Sequence, residues 1–240
     1  KHYEIEGTLN EMPISAFPDT GAQKNVISLS YCRRLGLSID KGSDLKFQLP
    51  SGGIVECIGS IRSRWKFANE SKSTSLSFQV IADCTHDVIL GGSFLKWSKT
   101  LTQFCHRIIT RWRPMPQCRG VKLLGSQRQR VSGYLDGNFV EAIPDTGCDV
   151  MLMSRAYAEE HGYYVESGGD FRCELEFADG SRAYTEGMVT GLDWSYGDSE
   201  TTSLCDFHIL ENLPADVVLS NDFLFEGQAF SKYEEFFYDI

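Results

Sequence analysis

One internal repeat limits what this chain can fold into. Gly7-Thr8-Leu9 stands ahead of Ala16-Phe17-Pro18-Asp19-Thr20-Gly21, and Gly133-Tyr134-Leu135 stands ahead of Ala142-Ile143-Pro144-Asp145-Thr146-Gly147. An offset of 126 residues relates all of these positions and also pairs Ser28 with Ser154, Tyr31 with Tyr157 and Gly36 with Gly162. Small shifts carry the match onward. Gly59 faces Gly187 at offset 128, and Asp87-Val88-Ile89-Leu90 faces Asp216-Val217-Val218-Leu219 at offset 129. Repeats of this length, each a supersecondary unit with its own apolar pattern, imply two like lobes. Their bounds are 1–100 and 130–240, with residues 101–129 as the connector.

Each repeat reads as mostly β. Residues 3–9 and 12–17 alternate apolar and polar around a turn at Asn10-Glu11, and the second copy turns at Asp136-Gly137. Ser28 and Ser154 stand where helix N-caps stand, ahead of short helices that end near Gly36 and Gly162. Leu45–Leu49 and Ile54–Ile58 flank a Pro-Ser-Gly-Gly tip, and Leu175–Phe177 and Ala183–Thr185 flank Ala-Asp-Gly-Ser, both good hairpin chemistry. Residues 76–82 and 204–210 read as further strands. The apolar runs 88–90 and 217–219 read as buried strands, each leading into a short helix that carries Phe-Leu. The aromatic run Tyr233–Tyr238 reads as a final strand or packing segment.

The net charge of −10 argues against general nucleic-acid binding, and no apolar run is long enough for a membrane helix. Lys96 to Leu135 nevertheless holds nine Lys or Arg and no Asp or Glu. This basic connector is either a groove for an acidic partner or, the preferred reading, a solvated link between acidic lobes. The eight cysteines form no close CxxC pair and the five histidines do not flank them at zinc spacing, so neither a metal nor a cofactor is expected. The chain is large enough for a core without staples, which favours free, mostly buried thiols and an intracellular setting. The sequon Asn69-Glu70-Ser71 weighs weakly the other way. The start at Lys1, without a methionine, suggests an excised piece or processed product, so the lack of a leader says little.

One Asp-Thr-Gly is a common turn tripeptide. Two copies in equivalent places of a duplicated fold mean more, because duplicates assemble about an approximate two-fold axis and bring equivalent loops together. Asp19 then meets Asp145. Two adjacent carboxyls cannot both ionise cheaply, so the pair shares a proton. The ionised member can take a proton from water while the protonated member polarises a peptide carbonyl, with no metal and no covalent intermediate. Thr20 and Thr146 offer hydroxyls to the opposite loop. Gly21 and Gly147 let the backbone pass close to the carboxylates.

The motif Ala-Phe-Pro-Asp-Thr-Gly-Ala, the strand Asp-Val-Ile-Leu-Gly-Gly and the glycine-bearing hairpin between them resemble a retropepsin, the retroviral-type aspartic peptidase. The short helix after the motif is closer to the cellular retropepsin-like domains of the DNA-damage-inducible shuttle proteins. The resemblance implies a mainly β fold of two β-barrel lobes related by pseudo-two-fold symmetry, each with one or two short helices. Family members are usually homodimers; here both lobes share one chain, acting as a monomeric pseudo-dimer on an extended polypeptide. It assigns catalysis to Asp19 and Asp145, support to Thr20, Gly21, Thr146 and Gly147, and substrate-covering flaps to Pro50, Ser51, Gly52 and Gly53 and to Ala178, Asp179, Gly180 and Ser181. It also implies chain ends that form an interface sheet between the lobes.

Departures lie mainly in the second repeat. Cys148 stands where the first has Ala22, either an inert buried thiol or an oxidisable gate. Ser220 stands where the first has Gly91. Two rival readings stay open. One is a peptidase-like module that binds without cutting. In the other, each repeat pairs with a copy from another molecule.

Overall fold

The repeat in the sequence is a repeat in the fold. The computed structural model describes residues 1–42, 45–49, 53–112, 118–122 and 128–240. In the first half, β1 (His2–Leu9), β2 (Met12–Asp19) and β3 (Asn25–Ser28) lead into α1 (Leu29–Arg34). Then come β4 (Lys46–Gln48), β5 (Ile54–Phe67), β6 (Ser73–Ile81), β7 (Val88–Gly91), α2 (Gly92–Trp97) and β8 (Ile108–Arg111). β9 (Arg119–Val121) lies between the halves. The second half runs β10 (Gln129–Leu135), β11 (Asn138–Pro144), β12 (Leu152–Ser154) and α3 (Arg155–Glu160), followed by β13 (Glu174–Phe177), β14 (Arg182–Tyr184) and β15 (Met188–Tyr196). It ends with β16 (Thr202–Leu210), β17 (Val217–Leu219), α4 (Asn221–Glu226), α5 (Ala229–Lys232) and β18 (Phe237–Asp239).

Each half closes on itself. The order β5-β6-β3-β7-β2-β1 returns to β5 through the β1–β5 pairing. The order β15-β16-β12-β17-β11-β10 returns to β15 in the same way. Closure removes the sheet edges that would otherwise invite aggregation. The two rings are equivalent strand for strand, and they are the two lobes.

Local chemistry explains the matching parts. The opening hairpins turn through residues in left-handed conformations, Asn10 and Glu11 at φ 48° and 71°, Asp136 and Gly137 at φ 48° and 80°. Ser28 caps α1 by accepting from Tyr31 N, and Ser154 caps α3 by accepting from Tyr157 N. Each barrel is filled by a tryptophan, Trp65 and Trp194, set against a glycine on the neighbouring strand. A Cβ on Gly7 would come within 2.6 Å of Trp65 and one on Gly133 within 2.5 Å of Trp194, so both glycines are needed for the indole to lie flat on the first strand.

Among the described residues, parts of the connector pack on the lobes. β8 pairs with β1, and Arg107 just before it and Arg111 at its end reach acids of the first lobe, with Arg107 Nε 2.6 Å from Glu70. β9 lies against the second lobe, where Val121 is fully buried and Lys122 is 4% exposed. The local reason is that the acidic lobes supply partners at short range, so this part of the basic excess is consumed by them. The expected interface sheet of chain ends also takes another form. Among the described pairings, β1 and β18 each join their own lobe's barrel, and the lobes meet through other contacts. Tyr3 OH donates to Asp222 at 2.8 Å, and Lys96 Nζ lies 2.6 Å from Asp239.

Candidate active site

Both aspartates sit at the end of a strand in the middle of their barrel. β2 pairs in parallel with β7, which places Asp19 opposite Gly91. β11 pairs in parallel with β17, and Asp145 N donates to the Leu219 carbonyl just beyond. The preceding prolines have no N–H, but their carbonyls are put to use. Thr146 Oγ1 donates to Pro18 O at 3.0 Å and Thr20 Oγ1 donates to Pro144 O at 2.6 Å. Each threonine hydroxyl also accepts from the other threonine's backbone N–H, at 2.9 Å both ways. The two loops are thus stitched by four reciprocal bonds among wholly buried groups.

The carboxyls lie within this stitch and both are 0% exposed. Asp145 Oδ1 accepts from Gly147 N at 2.7 Å and from Gly21 N, across the lobe boundary, at 3.2 Å. Asp19 Oδ1 accepts from Ala22 N at 3.0 Å. No side chain fits at the two glycines: a Cβ on Gly21 would lie 2.4 Å from Asp145 Oδ1, and one on Gly147 2.7 Å from Asp19 Cγ. The close approach of backbone to carboxyl, not left-handed backbone, fixes glycine here.

Burial raises both carboxyls, but unequally. For Asp19 the charge of Asp145 and their mutual hydrogen bond add to burial, and its pKa stands well above the usual carboxylate range. For Asp145 the Gly147 and Gly21 N–H groups and the Asp19 hydrogen bond offset part of the burial, leaving it raised from 3.8 to about 6. Both shifts run upward, and titration belongs to the pair, which holds a shared proton above the ordinary carboxylate range. The outer oxygens, Asp19 Oδ2 and Asp145 Oδ2, are buried and have no other protein donor among the described residues.

The structure brings Asp19, Thr20, Gly21, Asp145, Thr146 and Gly147 together. Of the first hairpin, Pro50, Ser51 and Gly52 lie outside the described residues, while the Gly53 carbonyl accepts from Leu49 N at 2.8 Å. In the second, Asp179 holds its own turn by accepting from Ser181 N and Oγ, and Gly180 sits at φ 80°. The Ala178 carbonyl accepts from Thr85 N of the opposite lobe, so this tip bridges the lobes. Phe47, Leu49 and Val55 of the first hairpin and Leu175, Phe177 and Ala178 of the second share one apolar layer with Ala22 and Cys148.

The departures in the second lobe leave its backbone unchanged. Asn221 N donates to Cys148 O at 2.8 Å as Gly92 N donates to Ala22 O at 2.8 Å, and Ser220 adopts the φ and ψ of Gly91. Cys148 is fully buried, its Sγ donates to Val150 O, and burial pushes its thiol far above the normal range. That describes an inert thiol. All eight cysteines are free. Sequence reasoning overlooked Asp149, whose Oδ1 accepts from Asn221 Nδ2 at 3.0 Å while its Oδ2 accepts from Gly120 N at 2.6 Å.

Residues 5–94 match the family model described as aspartyl protease. A comparison with curated proteins gives no match. Similar solved structures include the retroviral protease-like domain of Ddi1 from Leishmania major, 26% identical, covering 41% of this chain and 78% of that one, with a TM-score of 0.34. EIAV protease in complex with an inhibitor is 22% identical over 41% of this chain and 89% of that one, with a TM-score of 0.34. The family match falls within the first half of the chain, and the fold is mainly β with a closed six-stranded barrel in each half. Both lobes are carried by one chain. No helix among the described residues is long and apolar enough to cross a membrane.

Proposed function

We propose that the chain is an aspartic endopeptidase whose two lobes act as an intramolecular pseudo-dimer on an extended polypeptide. The observation that carries this reading is the pair of wholly buried carboxyls, one from each lobe, held by reciprocal threonine bonds. Burying two facing carboxyls costs stability, and a module that only binds peptides has no use for that cost.

In the mechanism, a water held by the dyad loses a proton to the ionised aspartate as its oxygen attacks the peptide carbonyl carbon. The protonated aspartate donates to the carbonyl oxygen, giving a neutral tetrahedral diol. Collapse breaks the C–N bond, the amine leaves with the proton taken from the water, and a diol hydroxyl returns its proton to the aspartate that first gave one. The pair ends as it began. The hairpins carrying Gly53 and Ala178–Ser181 would cover the peptide and exclude water.

The test is cleavage of a peptide library across about pH 3–8, the span over which such a pair changes its proton count. Cleavage within extended peptides supports the peptidase. Peptide binding without cleavage at every pH would favour a module that binds without cutting.

A further inference from the structure

β9 lies between the second hairpin and the residues that follow Asp145-Thr146. On one side it pairs in parallel with the hairpin strand β13, Gly120 opposite Glu176 and Val121 opposite Phe177. On the other it runs antiparallel to the residues just after Asp145-Thr146, with Val121 bridged to Cys148. Lys122 N donates to Gly147 O at 3.2 Å, Asp149 N donates to Gly120 O at 2.8 Å, and Gly120 N donates to Asp149 Oδ2 at 2.6 Å. Most of these bonds are to backbone atoms and so are indifferent to sequence; they would hold any extended strand. Side chains add selectivity. Val121 is fully buried in the apolar layer around the site, and the Lys122 ammonium donates to the Glu176 and Phe177 carbonyls at 3.3 Å each.

We propose that the groove between Gly147–Asp149 and β13 is a peptide-strand binding site on the second lobe, and that its resident occupant is the chain's own Arg119–Lys122. Asp149, positioned by Asn221, is its recognition residue, and the Val121 position takes a small aliphatic side chain. The chain therefore holds half of its own cleft closed to other peptides. This rests on the peptidase reading, but its test does not need cleavage.

The probe is a fluorescein-labelled peptide copying residues 119–124, with binding followed by anisotropy in an Asp145→Asn background. A tethered occupant competes at roughly millimolar effective concentration, so freeing the groove tightens apparent binding by the fraction freed. Val121→Asp and Gly120→Pro each displace the strand, and the peptide then binds about tenfold or more tightly than to the undisplaced chain. Equal affinity in cooperatively folding variants overturns the proposal. The unaltered chain gives a second readout in case both variants misfold. Millimolar unlabelled peptide speeds hydrogen exchange at the Lys122 amide about tenfold by displacement, and unchanged exchange overturns the proposal. With Asp145 restored, tighter binding by the displaced variants without any cleavage would sink the peptidase reading and leave this one intact; cleavage with unchanged affinity would do the reverse.

Discussion

Thr20 and Thr146 each donate a backbone N–H to the other's hydroxyl at 2.9 Å, and each hydroxyl donates onward to the carbonyl before the other's aspartate. The relation is reciprocal, so neither lobe can present its carboxyl correctly without the other.

That reciprocity makes the threonines non-additive. Thr20→Val or Thr146→Val alone strands buried partners and costs about 1–3 kcal/mol. The double variant costs clearly less than the two losses combined, because the second change removes groups the first had already orphaned. Urea unfolding of the full cycle checks this, and additive losses would mean that the two side chains act separately.

Stability should fall as pH rises through the range of the dyad. The folded-state value of Asp145, about 6, lies above its ordinary 3.8, and Asp19 is shifted in the same direction. The folded chain thus binds protons more tightly, a contribution that is full below about pH 4 and is lost as pH climbs past 6. Asp145→Asn removes the buried charge, so its Tm exceeds that of the native chain at pH 7 by on the order of 5 °C, with the gap closing near pH 4. Thermal melts at the two pH values decide it; a lower Tm for the variant at pH 7 would contradict the assigned cause.

Gly21→Ala puts a methyl where Asp145 Oδ1 lies, 2.4 Å from the ideal Cβ. Moving a carboxyl out of line by about 1 Å costs roughly a hundredfold in kcat/KM. Gly36→Ala serves as a control: its Cβ would meet nothing within 4 Å, and the strain of its φ of 63° falls on stability, not on catalysis. Peptide hydrolysis and melting curves on both variants separate the effects.

Trp65→Ala and Trp194→Ala empty the two barrels at matching places. Each costs about 3–5 kcal/mol. The tryptophans lie in separate rings, so the losses add if the lobes unfold as one unit and appear in separate transitions if they do not. Denaturant titration of the single and double variants reads this directly.

The barrels were legible in the sequence because their signals are local and occur twice: Asn10-Glu11 and Asp136-Gly137 at the turns, Ser28 and Ser154 at the caps. The meeting of Asp19 with Asp145 was legible because equivalent loops of a duplicated fold converge. β5 runs on to Phe67, and Ile61, Ser63, Trp65 and Phe67 are buried between Arg62, Arg64 and Lys66; that alternation was visible, but the charged residues obscured it. β9 could not be read. Arg-Gly-Val has no strand signal of its own, and its form comes from partners 29 and about 55 residues away, Asp149 and the β13 segment. The role of Asp149 was hidden for the same reason, since its partner is that strand.

The central claim is that Asp19 and Asp145 form one shared catalytic pair. The most direct measurement is kcat/KM for a peptide cut by the native chain, by Asp19→Asn, by Asp145→Asn and by the double variant, all with the Val121→Asp change so that the groove is open. Each single change lowers kcat/KM by about a thousandfold or more, and the double variant is no worse than the poorer single. Cleavage within about tenfold of native by either single variant, or losses that multiply in the double, would contradict it.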